Sequence, residues 1–185
     1  MREGRGYGTA RLMAALLPAA LGIVLCADAQ GKGGHRMETL TVSSPGFNQG
    51  EAIPARHTCD GEDTSPALVI GKVPPATRSL ALVMDDPDAP MGTWVHWVVW
   101  NIPPQTREIP AHALPSQASE GKNDWHRTGY GGPCPPTGTH RYFFRVYALD
   151  TVLHLGNSTT KGELERAMQG HVLAKGELMG TYKRR

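Results

Sequence analysis

The chain has 185 residues, a length typical of one domain, and its 19 Lys and Arg residues nearly balance its 17 Asp and Glu residues. This balance provides no general electrostatic attraction to nucleic acid or to an anionic membrane surface. The 22 glycines and 15 prolines favour many short strands joined by turns over a helical bundle.

The first 29 residues have the features of a signal peptide. Arginines up to Arg11 precede an apolar run over residues 12–26, and Ala27-Asp28-Ala29 supplies the small residues of a signal-peptidase site. The run contains Pro18 and is short for a membrane span. We therefore expect a periplasmic or secreted protein, cleaved near Ala29, with an uncleaved N-terminal anchor as the alternative. Residues 30–36 predict a flexible lead-in, and residues 37–185 predict the folded domain.

Two cysteines, Cys59 and Cys134, remain after the predicted cleavage site. Export would place them in an oxidising compartment, where an even pair often forms a bridge. We expect a disulfide between them. The alternative is two buried unpaired thiols, because a sequence does not give the distance that a disulfide requires.

The remaining pattern predicts strands with one convincing helix. Strands are predicted over residues 37–43, 67–73, 79–84, 93–102, 107–110, 140–149 and 172–182, and long loops over 45–66 and 111–138. The run over 79–84 is almost wholly apolar, which indicates a central strand buried on both faces. Thr160-Lys161-Gly162-Glu163 has the spacing of a capping box and predicts a helix that ends at Gly170. These elements predict a mainly β fold, an antiparallel β-sandwich with one or two short helices.

Two of the predicted strands carry a histidine near the start of an apolar face. Because side chains alternate along a strand, the faces are predicted to contain Trp94, His96, Val98 and Trp100, and His140, Tyr142, Phe144 and Val146. One such histidine is more often a core-edge residue than a ligand. Two of them, together with an acidic turn, favour a shared pocket.

The acidic turn follows the predicted central strand. Pro87 and Pro90 restrict the backbone around Asp86 and Asp88, so that both carboxylates project from a stiff turn. The turn is either an ordinary end to a strand or a functional element in which Asp86 orients or charges a histidine. The segment 131–136 combines glycine with proline and predicts the opposite wall.

Four motifs occur in order along this chain: Asp86-Pro87-Asp88-Ala89-Pro90, Trp94-Val95-His96-Trp97, Gly132-Pro133-Cys134-Pro135-Pro136 and His140-Arg141-Tyr142. Together they closely resemble the phosphatidylethanolamine-binding protein family, and in particular its bacterial Raf-kinase-inhibitor-like subgroup. The resemblance extends over roughly residues 40–182 and includes the segments 170–174 and 180–182.

The resemblance implies a β-sandwich with a small cavity at one end that takes phosphate, acetate, cacodylate or a phosphoethanolamine head group. By motif position, the implied ligand contacts are Asp86, His96, His140 and Tyr142, with Trp94 and Gly132 at the mouth. Asp88, Pro90 and Pro133 are assigned supporting positions. The implied protein is a non-enzymatic receptor for a small anion, with no cofactor and no metal.

Two departures from the family pattern bear on its partners. The chain ends at Arg185 without the C-terminal helix and extra tyrosine of animal members, and the loop from Pro136 to His140 is short. We therefore expect a differently shaped mouth, so lipid binding does not follow from the resemblance. Regulation of a Raf-type kinase does not follow either, because an exported protein would not meet that cytosolic partner. We expect no nucleic-acid partner and no stable membrane insertion, and a protein partner and a homodimer stay open.

Two other classes of function stay open. A hydrolase would use His96 or His140 as a base and Asp86 to orient it, or would bind zinc through the same three groups. The sequence has neither a Gly-x-Ser-x-Gly nor a His-Glu-x-x-His motif. An interaction protein, such as an inhibitor of secreted proteases, would use surface segments that the sequence does not mark.

Overall fold

A computed structural model describes residues 38–184, in which nine β-strands form two sheets. The strands are β1 Glu38–Thr39, β2 Thr41–Ser43, β3 Leu68–Gly71, β4 Ser79–Asp86, β5 Trp94–Ile102, β6 Glu108–Ile109, β7 Ser119–Glu120, β8 His140–Leu149 and β9 Val172–Tyr182. One α-helix, α1, covers Lys161–Met168, and Ala55–His57 form a 3-10 turn. The predicted signal peptide (1–29) and lead-in (30–36) lie outside the described residues.

The two sheets have the strand orders β1-β9-β8-β4-β5-β7 and β2-β3-β6. The pairs are antiparallel except for β1 with β9, which is parallel. The predicted mainly β sandwich is confirmed. The single strand predicted over residues 37–43 is wrong, because Thr39 pairs in the larger sheet and Thr41 in the smaller one. Between them Leu40 is buried in the core, where the chain passes from one sheet to the other.

Two apolar clusters lie on opposite faces of the larger sheet. The cluster between the sheets joins Ile70 of β3 to Phe144 of β8. The cluster on the other face joins Val83 of β4 to Leu164 of α1. All eight residues of β4 are buried, which confirms the predicted central strand. Removal of this apolar surface from water is the main stabilisation available to the fold.

Strand β4 continues two residues beyond its predicted end. Asp85 pairs with Val95 of β5 and Phe143 of β8, and Asp86 pairs with Trp94. Strands β8 and β9 have the predicted bounds, whereas β7 lies within a predicted loop. The extension matters because Asp85 and Asp86 belong to the sheet. The sequence had placed Asp86 in the turn that follows, where only Asp88 lies.

Helix α1 is attached to this sheet by its first turn. Its N-terminus is the predicted capping box, in which Thr160 and Glu163 each bond the other's backbone N–H. Lys161 Nζ lies 2.6 Å from Oδ2 of the buried Asp85, and Arg145 pairs with the same carboxylate. Two cations therefore compensate the buried charge, as burial of a carboxylate requires. Within residues 38–184, no helix has both the length and the apolar character needed to span a bilayer.

The structure joins Cys59 to Cys134 in a disulfide, as predicted, with Cα atoms 5.4 Å apart. Cys59 N–H also donates to the carbonyl of Pro133 at 3.1 Å. The bridge therefore fixes the segment around Cys134 against the loop that follows the 3-10 turn.

We expect the double substitution Cys59→Ser and Cys134→Ser to lower the free energy of unfolding by about 2–5 kcal/mol. The bridge joins residues that are 75 positions apart, and its removal releases that loop in the unfolded chain. Denaturant unfolding followed by circular dichroism measures the loss. Reduced wild-type protein should match the variant, and an equal stability of oxidised and reduced wild type would contradict the prediction.

Candidate functional site

A pocket of about 350 Å³ opens at the end of the larger sheet where β4 finishes and β5 and β8 begin. Its lining residues are Asp86, Ala89, Pro90, Met91, Trp94, His96, Trp125, Cys134, Pro135, Pro136 and His140. The structure thus brings together four of the six residues predicted to contact the ligand or to line the mouth: Asp86, Trp94, His96 and His140. The disulfide contributes one wall through Cys134.

A larger hollow of about 570 Å³ lies elsewhere, between Glu38, Arg145 and Lys175. It opens along the β1–β9 edge of the larger sheet. We assign the site to the smaller pocket, because two histidines and a buried carboxylate converge there beside aromatic walls.

His140 and Asp86 form a buried polar contact in the pocket. His140 Nδ1 lies 2.7 Å from Asp86 Oδ2, and the two residues are only 7% and 4% exposed. The other carboxylate oxygen accepts the backbone N–H of Asp88 at 2.8 Å. Since a carboxylate only accepts, Nδ1 is the donor, and the Nε2 atom of His140 is left for a ligand.

His96 is fixed in the same way by a backbone carbonyl. Its Nδ1 donates to the carbonyl of Gly131 at 2.7 Å, and Gly131 N–H donates back to the His96 carbonyl at 3.0 Å. Burial lowers the pKa of His96. The ring is therefore neutral near pH 7, with Nε2 as an unprotonated acceptor.

The position of His96 depends on an irregularity in the β4–β5 ladder. Met84 pairs with Trp97 and Asp85 pairs with Val95, so that His96 is an extra residue on β5, as in a β-bulge. The predicted face of Trp94, His96, Val98 and Trp100 is therefore wrong: Val98 and Trp100 pack toward α1. The predicted face of β8 is confirmed, because Tyr142, Phe144 and Val146 all lie between the sheets.

Tyr142 lies behind the lining residues, against His96. The two rings meet edge to face with centroids 5.2 Å apart, and Tyr142 is fully buried. Burial, followed by the nearby charge of Asp86, raises the pKa of Tyr142, which keeps its hydroxyl protonated. Neither this hydroxyl nor the Trp94 indole N–H has a hydrogen-bond partner among residues 38–184. A buried donor without a partner costs about 1–3 kcal/mol.

Three further predicted residues support the pocket from outside its lining. Gly132 N–H donates to Asp63 Oδ1 at 2.6 Å, and a Cβ at Gly132 would lie 2.5 Å from the His57 carbonyl. The structure therefore places Gly132 against the 57–63 loop and not at the mouth. The carbonyl of Pro133 accepts from Cys59. The Asp88 carboxylate binds the guanidinium of Arg141, which holds the pKa of Asp88 down at about 2.

Nothing in the sequence pattern predicted Trp125 as a pocket residue. Its ring meets those of Trp94 and His96 nearly at right angles, with centroids 5.4 and 5.0 Å away. The buried Asn123 shapes this loop. Its Oδ1 accepts the backbone N–H of Trp125 at 3.1 Å, and its Nδ2 donates to the Gly129 carbonyl at 3.0 Å. A single tryptophan in a polar, Gly-containing loop gives no signal that it returns to a distant strand.

Among the described residues, no group of three His, Cys, Asp or Glu side chains is arranged to hold a metal ion. The zinc arrangement considered for Asp86, His96 and His140 is therefore not formed in residues 38–184. Asp86 points a carboxylate oxygen at Nδ1 of His140, whereas Nδ1 of His96 is directed to Gly131.

Comparison with known proteins decides the family. A family model described as phosphatidylethanolamine-binding protein matches residues 43–183. The chain belongs to the phosphatidylethanolamine-binding protein family. A UPF0098 protein from Pyrococcus horikoshii is 45% identical over 190 residues, which cover 96% of this chain and 94% of that protein. A UPF0098 protein from Methanothermobacter thermautotrophicus is 49% identical over 150 residues, which cover 78% and 99%.

Solved structures of this family share the fold. A phosphatidylethanolamine-binding protein homologue from Chlamydia trachomatis has a TM-score of 0.77 and 39% identity, covering 80% of this chain and 99% of its own. E. coli YbcL, described as a new member of the mammalian family, has a TM-score of 0.75 and 32% identity, covering 79% and 99%. The resemblance that the four motifs predicted is confirmed.

We expect the protein to lose stability as the pH falls from 7.5 to 5. Burial lowers the pKa of His96 and of His57 below the ordinary value of 6.5. Below about pH 6.5 the unfolded chain therefore binds more protons than the folded one, and the stabilisation that is complete at higher pH is lost. The carboxylate of Asp88, with its pKa lowered from 3.8, contributes only below this window.

Thermal unfolding at several pH values measures this dependence. His96→Gln keeps an amide that can donate to Gly131 but does not titrate, so the variant should show a shallower decrease in Tm between pH 7.5 and 5. A decrease as steep as that of the wild type would show that His96 does not bind its proton preferentially in the unfolded state.

Proposed function

We propose that the chain is a receptor for a small phosphate or phosphoryl group, bound between His96 and His140. The observation that supports this most directly is the fixed orientation of both rings. Each Nδ1 donates to a protein acceptor, and neither Nε2 forms a hydrogen bond with the described residues. Two imidazole nitrogens thus remain for one ligand in a pocket that also contains the Trp94 indole.

The two rings suit different oxygens of a phosphoryl group. His96 is neutral and accepts, which fits a protonated phosphoryl oxygen. An imidazolium donates at both ring nitrogens, so a charged His140, with Nδ1 2.7 Å from the Asp86 carboxylate, would donate from Nε2 to an unprotonated phosphoryl oxygen.

The proposal is one of binding and includes no chemical step. Among the described lining residues there is no serine, threonine or lysine, and the sulfur of Cys134 is held in the disulfide. Of the nucleophilic side chains, these residues offer the two imidazoles and the Asp86 carboxylate, and that carboxylate already accepts from His140 and from the Asp88 N–H.

Isothermal titration with inorganic phosphate at pH 6.5 tests the proposal. We expect His140→Gln and Asp86→Asn each to weaken binding by about tenfold or more, since a hydrogen bond to a charged group contributes about 1.5–3 kcal/mol. His171→Gln is a matched control, because His171 Nδ1 also lies 2.7 Å from a carboxylate, that of Asp150, but on the surface. Absence of binding to the wild type, or equal losses in the control, would refute the anion site.

We also propose that the protein is exported. The basic and apolar N-terminal segment with Ala27-Asp28-Ala29 supports this, and so does the Cys59–Cys134 bridge, since disulfides persist in oxidising compartments. Expression of the full chain in a bacterial host, followed by fractionation and N-terminal sequencing, tests it. We expect a periplasmic or secreted product that begins at Gln30. Recovery of the uncleaved chain in the cytosol would contradict export, and recovery in the membrane would favour the anchor.

A further inference from the structure

A second hollow, of about 300 Å³, has no lining residue in common with the pocket of His96 and His140. Its lining residues are Asp63, Thr64, Ser65, Trp97, His112, Ala113, Leu114, Glu120, Gly129 and Tyr130. No lysine or arginine occurs among these described residues, and the volume is at the lower end of the range of small-molecule sites. This Trp97–Tyr130 hollow is therefore a separate candidate for ligand binding.

The rings of Trp97 and Tyr130 indicate what kind of ligand the hollow accommodates. They meet at 86° with centroids 5.5 Å apart, and the Tyr130 hydroxyl donates to the His57 carbonyl at 2.7 Å, which fixes its ring. Aromatic faces attract cations, ammonium ions included. Within residues 38–184 the arginines that lie over aromatic rings do so at Phe143 and Trp125. The described protein thus supplies no cation to either ring of this hollow.

Two carboxylates of the hollow are each held by one hydrogen bond. Asp63 Oδ1 accepts the backbone N–H of Gly132 at 2.6 Å, and Glu120 Oε1 accepts the indole N–H of Trp97 at 2.7 Å. The other oxygen of each carboxylate has no hydrogen-bond partner among residues 38–184. A ligand with N–H donors and a positive charge is the natural partner of such oxygens.

The charge of these two carboxylates is not compensated within the part of the chain that the structure describes. The buried Asp85 binds an arginine and a lysine, and the half-buried Asp88 binds an arginine. Asp63 and Glu120 are also half-buried, yet neither forms an ion pair in residues 38–184. Removing a charge from water is unfavourable without a partner. A cation in the hollow would supply that partner to both.

We propose that the Trp97–Tyr130 hollow binds a small primary ammonium ion with a short alkyl chain. Asp63 and Glu120 accept its N–H donors, and the two rings contact the charged group and the carbon next to it. Leu114 contributes apolar surface for the chain. The site goes beyond the proposed anion receptor and does not depend on it.

An NMR titration of ¹⁵N-labelled protein with n-butylammonium chloride tests the proposal. The titration is made at low salt and pH 8, where a primary amine is protonated. We expect saturable shifts of the indole N–H of Trp97 and the backbone N–H of Gly132, because both donate to the carboxylates that bind the probe. Butyltrimethylammonium has the charge without N–H donors, and 1-butanol has the chain without the charge. Each should bind at least about tenfold more weakly.

Asp63→Asn and Glu120→Gln remove one charge each and keep an oxygen that can accept from Gly132 or Trp97. We expect each variant to bind n-butylammonium about tenfold more weakly, and the double variant to show no saturable shift. The spectrum of each variant also reports whether it is folded. If a variant does not fold, the comparison of the three probes on the wild type still decides the proposal.

Asp124→Asn is the matched control. Asp124 is half-buried, accepts one backbone N–H and forms no ion pair in residues 38–184, but it does not line the hollow. Its affinity for n-butylammonium should stay within about twofold of the wild type. An equal loss in this control, equal binding of 1-butanol, or no saturable shift in the wild type would overturn the site. Phosphate binding by the same preparation is measured separately, so that failure of this site and failure of the anion site are distinguishable.

Discussion

The reciprocal hydrogen bonds between His96 and Gly131 connect the parts of this molecule that form the pocket. One bond fixes the ring of His96, and the other attaches the segment around Gly131 to β5. The same segment is held on its other side by the Asp63 carboxylate and by the Cys59–Cys134 bridge. A strand of the larger sheet, a long loop and the pocket wall are thereby fixed to one another by contacts distant in sequence.

The closeness of Trp125 explains why residue 131 is a glycine. A Cβ at that position would lie 2.6 Å from the Trp125 ring. The tryptophan can approach His96 only because the backbone is bare there. The pocket is therefore shaped by two requirements at one residue: a carbonyl that orients a histidine and an absent side chain that admits an aromatic ring.

Regular parts of the fold were predictable, and long-range parts were not. Strands β8 and β9 and the capping box at Thr160 follow from local pattern, because alternation and helix capping act over a few residues. The extra residue at His96 interrupts the alternation without any mark in the sequence, so the face of β5 was predicted wrongly beyond it. The convergence of His96 with His140 came from the family resemblance. Trp125 and Asp63 came from neither source, because their contacts form only in the folded chain.

The parallel pairing of β1 has a consequence for how copies of this protein can meet. Strand β9 forms one flank of the larger sheet, and its outer backbone is bonded near one end by Leu40 and near the other by Gly50 and Ile53. A strand of another chain needs free N–H and C=O groups along such a flank in order to add to it. Little of β9 remains available for strand addition, so edge-to-edge aggregation at this flank is disfavoured, and a second copy that meets this flank would have to dock through side chains.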